Sequence, residues 1–381
     1  MDDLQGVLDA AVAEGDAPFL VGMVGSADAI RWQGAAGEAA PGMAAAPDTV
    51  FRIFSMTKAI GSLAAMILID RGALSFDTPV EEVLPEFSEV MVLEGWDGDV
   101  PRLRKPRVPA TARHLATHTS GLEYDIWNPG MAEWLQRTGN PPILSGQRQG
   151  LFSPMMFDPG DRWGYGIGID WLGRIVEAVS GQRIDAFLRT EIFDPLGMAD
   201  TDVEVRDHMA PRLAQLCLRA EGGAFRPFDL APPPSPEVYG MGHCLYSTAP
   251  DYMRFLRMLL NRGTLDGVRV LGEGAVASML QNHMGALRIT PMTSINPVAS
   301  ADVALFPGID KTHSFGFLRV EADVPGMRRA GAQGWAGLLN THFWFDPAAD
   351  LAGLIMTQAL PFADPCFMAA YARFERAVYG G

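Results

Sequence analysis

The sequence predicts an α+β fold: an antiparallel sheet flanked by helices and drawn from both ends of the chain, plus a mostly helical lobe between them. Three observations lead there. Strand-like runs cluster at 18–26, 29–37 and 50–54 and again at 315–321, 339–345 and 351–357. The stretch from Asp77 to about Gly240 carries many prolines and several short helical patterns instead. At 381 residues the chain is long enough for about two or three domains, or one large one. The expected division is a discontinuous sheet domain, 1–76 with 240–381, and a helical domain, 77–239. A cleft between two such units is a usual place for an active site.

In order, Leu4, Val7, Leu8, Ala11 and Val12 recur at helical spacing, which predicts a surface helix over 2–14. PFLVGMVGS and AIRWQGAAG read as two strands joined by a short turn around Asp28, and VFRIF as a third short strand. Ile60, Leu63, Ala64, Ile67 and Leu68 form one apolar stripe, so a helix is expected over 55–71, closing at Gly72. In the middle, helices are expected at 112–118, 131–137 and 169–180, and APPPSP (231–236) reads as a rigid loop. The tail predicts helices at 249–262 and 273–282, a loop at about 284–312, the three late strands and a last helix at 364–378.

Composition excludes several function classes. With 45 acidic and 30 basic residues the net charge is −15, which disfavours nucleic acid and anionic lipid as partners. Cys217, Cys244 and Cys366 are odd in number and far apart, giving neither a disulfide framework nor a zinc knuckle. The acidic N-terminus lacks a basic n-region and a long apolar core, and LAAMILI (63–69) falls far short of a membrane span, so a soluble, cytoplasmic protein is expected. Of the 30 basic residues only Lys58, Lys105 and Lys311 are lysines.

Ser55-Met56-Thr57-Lys58 carries the chemistry. Residues three apart on a helix share a face. A serine in the first turn meets free N–H groups and the positive dipole end, which favour a developing anion. An amine one turn along is placed to take or share the serine proton. Lys58 is the only one of the three lysines with a serine three residues before it.

The surrounding FRIFSMTKAIGSLAAMILIDRGALSFDTPVEEVLPEF resembles the nucleophile region of the serine β-lactamase and penicillin-binding-protein superfamily, in particular its class C-like carboxylesterase branch. Five further segments resemble that family in the same order: 111–122, 161–181, 191–201, 240–255 and 331–347. The resemblance implies a β-lactamase-like fold and a serine hydrolase with Ser55 as nucleophile and Lys58 and Tyr165 as proton carriers. It implies an oxyanion hole from the backbone N–H groups of Ser55 and Leu338, with Gly337 letting substrate approach the backbone of an edge strand. Trp335, Gly337, Trp163 and His243 are its candidate substrate-binding residues, and Trp127, Met155, Met156 and Phe157 fall in segments that border the family's cleft.

Two departures bear on substrate. Ile167 stands where β-lactamases and peptidases of this branch have an asparagine, and Trp335-Ala336-Gly337 replaces their Lys-Thr-Gly. Lys311-Thr312-His313 lies before a different strand and lacks the glycine, so it is no substitute. Without an amide-recognising side chain and a carboxylate anchor, uncharged esters with an apolar acyl or alcohol part are favoured over penicillins or D-Ala peptides. His114 and His118 have the i, i+4 spacing of zincins, but position 115 is leucine rather than glutamate, and no G-x-S-x-G occurs. The expectation is thus a carboxylesterase needing no cofactor and no metal, with an acyltransferase built on the same residues, or a β-lactamase or D-amino-acid peptidase, as the alternatives, and a non-catalytic binding protein of the same fold disfavoured by the intact Ser55, Lys58 and Tyr165.

Overall fold

A computed structural model describes residues 3–380 except Pro234, so Asp2 of the expected first helix and the central proline of APPPSP lie outside the described residues. Eight antiparallel strands form the main sheet: β1 (Phe19–Gly25), β2 (Ile30–Ala40), β3 (Met43–Ala44), β4 (Lys311–His313), β5 (Leu318–Val320), β6 (Gln333–Gly337), β7 (Thr341–Asp346) and β8 (Leu351–Met356). Their spatial order is β4-β5-β6-β7-β8-β1-β2-β3, so the two ends of the chain meet where β8 pairs with β1, Met23 opposite Leu354. Every residue of β1, β7 and β8 is buried, as near-continuous apolar runs demand of central strands covered on both faces.

Two layers of helix cover this sheet. On one face α1 (Leu4–Ala13) and the C-terminal α5 (Pro365–Tyr379) pack Leu8 and Phe374 against Trp344 and Ile355. On the other lie α2 (Thr57–Asp70) and α4 (Ala249–Leu260). From Thr57 to Leu68 every residue of α2 is buried, so it is a core helix and not an amphipathic one. Its far side meets α3 (Gly168–Ser180), which stops where Gly181 turns left-handed at φ 69°. Middle residues such as Leu115, Trp171 and Phe193 share one continuous core with Phe19 and Leu354 of the sheet.

Three features differ from the sequence expectations. β6 is not an edge strand, because β4 and β5 lie outside it. It pairs with β5 only at Gln333 and Gly334, however, so its edge from Trp335 onward is left open. β4 falls inside the expected loop 284–312, extending to His313; Lys-Thr-His has no strand signature of its own and is held by pairing with β5. The middle region also contains an exposed hairpin, Val92–Asp97 with Val100–Arg104, turned at Gly98 with φ 60°. Its signal was the Asp97-Gly98 pair between alternating residues.

Candidate active site

Ser55 sits one turn before α2 proper, in a 3₁₀ turn, Phe54–Met56, rather than in the α-helix itself. The preceding strand, Phe51–Arg52, is pinned to Tyr246–Ser247. Between the two, Phe54 adopts φ 42°, a left-handed conformation that costs a bulky residue about 1–3 kcal/mol. The side chain is buried and the Arg52 guanidinium lies 4.5 Å from its ring centre, so packing holds the strained turn that presents Ser55.

Lys58 is 1% exposed, and its ammonium has three donors to place. It donates to Ser55 Oγ at 3.1 Å, to the Tyr124 hydroxyl at 2.9 Å and to the Gly242 carbonyl at 2.8 Å. All three protons are therefore directed, which fixes the amine beside the serine. Gly242 belongs to a turn gripped by Asp170 of α3, whose Oδ1 accepts the Gly242 N–H at 2.9 Å. Burial pushes the Tyr124 phenol well above its ordinary range, with the nearby Asp170 adding to the shift, so it stays protonated.

Tyr165 comes to the pair in a different posture from the expected one. Its ring centre lies 4.9 Å from Lys58 Nζ, and its hydroxyl accepts the Trp335 indole N–H at 3.0 Å instead of bonding the amine. The physical reason is the indole: where the family's lysine would stand, Trp335 supplies an N–H donor aimed at the phenol. Tyr124 takes the place on Lys58. Sequence reasoning passed over it because 66 residues separate the two and no local spacing links them. Gly242 and Asp170 as supports of the amine were missed for the same reason.

Neither the Ser55 nor the Leu338 backbone N–H has a hydrogen-bond partner among the described residues, and both residues line the same cavity. Gly337 does not line it. A Cβ there would overlap the Ile53 carbonyl and crowd Thr341 Oγ1, so the missing side chain serves the close approach of β6 to the chain leading into Ser55 rather than the approach of substrate.

The cavity measures about 720 Å³, within the range of small-molecule sites. Trp163, Trp335, Trp127 and His243 line it together with apolar residues such as Ile126 and Leu144. Met155 is instead buried in the core, and Phe157 is covered by the Arg162 guanidinium 4.0 Å from its ring centre. Lys311 reaches the cavity wall, but its amine donates to the carbonyls of Phe306 and Ile309. His114 bonds Thr111 within its capping box, while His118 is buried 4.7 Å from the Tyr165 ring.

The family model described as Beta-lactamase matches residues 4–377. The chain belongs to the Beta-lactamase family. Within that family it is 31% identical to a lovastatin esterase of Penicillium rubens over 84% of this chain and 82% of the relative. It is also 31% identical to a monacolin J acid methylbutanoyltransferase of Aspergillus terreus, over 87% of this chain and 82% of the relative. The unliganded simvastatin synthase of Aspergillus terreus superposes with a TM-score of 0.84 at 28% identity, covering 99% of this chain and 97% of that one. These Beta-lactamase-family relatives are esterases and acyltransferases, so the chemistry they support is ester hydrolysis or acyl transfer. The β-lactamase-like α+β fold expected from the sequence is the fold observed. Among the described residues no helix is long and apolar enough to cross a membrane.

Proposed function

We propose that this chain is a serine carboxylesterase acting on small uncharged esters through an acyl-Ser55 intermediate. One observation carries the reading: the Lys58 amine, fixed by Tyr124 and Gly242, touches Ser55 Oγ at the wall of a largely apolar cavity. Gly242 O can only accept, so one Lys58 N–H is always committed there. With a second on Tyr124, an unprotonated Lys58 turns its lone pair to Ser55. Oγ attacks the ester carbonyl as its proton passes to Lys58. The Ser55 and Leu338 N–H groups stabilise the oxyanion. The C–O bond to the alcohol breaks, and the alkoxide takes the proton returned from Lys58. Water then resolves the acyl-enzyme.

Trp335 and Trp163 on the cavity wall, with Lys311 spent on backbone carbonyls, favour an apolar acyl or alcohol part over a carboxylate. Transfer to an alcohol is the second reading. It draws support from the methylbutanoyltransferase relative and from a cavity roomy enough for more than a short acyl chain.

Ser55→Ala is expected to lower p-nitrophenyl butyrate turnover by at least ~10³-fold. A fluorophosphonate is expected to add its mass to the Ser55 peptide. Full turnover by the variant, or labelling of another serine, would refute the assignment. Product analysis with alcohol acceptors present separates hydrolysis from transfer.

A further inference from the structure

Behind the Ser55–Lys58 pair lie two chemistry-bearing side chains, Asp170 and His243, neither of which bonds Ser55 or Lys58 directly. Asp170 has a fully buried side chain and, among the described residues, only one side-chain hydrogen bond, from the Gly242 N–H to Oδ1; its Oδ2 is sealed from solvent with no partner among them. His243 Nδ1 is also buried, has no hydrogen-bond partner among the described residues, and lies 3.4 Å from Asp170 Oδ1, close but outside hydrogen-bond geometry. Such contacts are often loose before substrate binds and tighten afterwards. The turn is shaped around this pair. A Cβ on Gly240 would overlap the His243 ring and Asp170 Oδ1, and one on Gly242 would overlap Asp170 Oδ2.

The two imidazole nitrogens face different surroundings. Nδ1 is turned to the carboxylate. Nε2 has no hydrogen-bond partner and is not among the sealed polar atoms, and His243 lines the cavity that Ser55 lines. A carboxylate on Nδ1 selects the tautomer with the proton there and leaves the Nε2 lone pair bare. A buried, under-satisfied carboxylate is costly by itself. It becomes favourable when a positive charge develops beside it, which happens when Nε2 takes a proton.

We infer that His243, oriented by Asp170, is the general base for the second half-reaction, in which the acyl group leaves Ser55. The inference rests on the serine-esterase reading above. An incoming water gives one proton to His243 Nε2 as its oxygen bonds the acyl carbon. The tetrahedral intermediate collapses, the bond from carbon to Ser55 Oγ breaks, and the imidazolium proton is returned to Oγ. The product leaves as the carboxylic acid. An alcohol in place of water gives an ester by the same proton path. Asp170 acts through His243 and is a positioning residue.

Stopped-flow hydrolysis of p-nitrophenyl butyrate separates the two halves, because the first release of p-nitrophenol reports acylation and the steady rate reports turnover. In His243→Ala the burst is expected within a few-fold of wild type. The steady rate should fall about 10²-fold, and intact mass should show the butyryl group accumulating on the protein. Added imidazole should restore the steady rate. An unchanged steady rate without accumulation in His243→Ala would overturn the inference. So would a loss of burst and steady rate together that imidazole does not reverse. If wild-type Ser55 itself carries no butyryl group after denaturing quench, the serine reading fails first, and that result is read without any variant.

Discussion

Lys58 concentrates the residue-scale argument. Arginine is the default cation of this chain, yet a guanidinium stays protonated and has no lone pair to offer a serine hydroxyl. The amine is useful only if it is aimed, and Tyr124 and Gly242 aim it. Tyr124→Phe removes one of its two fixed acceptors beyond the serine. The expected result is a fall in kcat/KM of about 10²-fold on p-nitrophenyl butyrate with thermal stability little changed. Trp335→Phe keeps the ring but removes the N–H donated to Tyr165. Its loss should be smaller, about 10-fold, measured on the same substrate. At this scale Ser55 and Lys58 were legible because an i, i+3 pair is written locally. Tyr124, Gly242 and Asp170 were not, since the first two reach the amine, and Asp170 reaches Gly242, across a fold that one sequence does not spell out.

The decisive element is β6. Its outer edge is paired only at Gln333 and Gly334, which leaves Trp335 to Leu338 facing the nucleophile turn. Gly337 lets the strand lie against the Ile53 carbonyl. Gly337→Ala has no room for the added carbon, so β6 must move away from Ser55. The expected cost is about 1–3 kcal/mol of stability by chemical denaturation. A drop in esterase activity should remain after correction for folded fraction, since the Leu338 N–H moves with the strand. The strands β1 and β8 were readable as continuous apolar runs, β7 by its Phe343-Trp344-Phe345 centre, and α2 as a periodic stripe. β4 was not readable, because three residues of mixed character become a strand only when β5 is beside them.

Across the whole molecule, buried histidines set the response to acid. Burial pushes His313 down to about 4 and His342 to about 3, and His118 well below its ordinary value. The folded state therefore prefers these rings neutral. Their contribution to stability is complete above pH 6.5 and is lost as pH falls, down to about 4 for His313 and about 3 for His342, at up to about 1.4 kcal/mol per pH unit for each ring. Asp251 works the other way: burial raises it to about 6, so its contribution is fullest below pH 3.8 and fades as pH rises through 6. Burial lowers His114 and His283 as well and raises Asp125, so five rings stand against two carboxyls, and melting temperature should fall steeply between pH 6.5 and 4. His342 stacks on Phe362 with its Nε2 unpartnered, so His342→Phe should flatten that fall in a calorimetric pH series.

The join between β8 and β1 has a consequence for how the protein comes into being. The nucleophile turn and α2 are made early, but the N-terminal hairpin of β1 and β2 has one edge without a partner until residues 351–356 have been synthesised. Leu338 and the β6 wall arrive late as well. A growing chain thus holds its serine and lysine long before it has the cavity they border. Assembly of the candidate site waits for residues 333–356, and the waiting apolar edge is the surface on which a chaperone, or another nascent copy, would first compete.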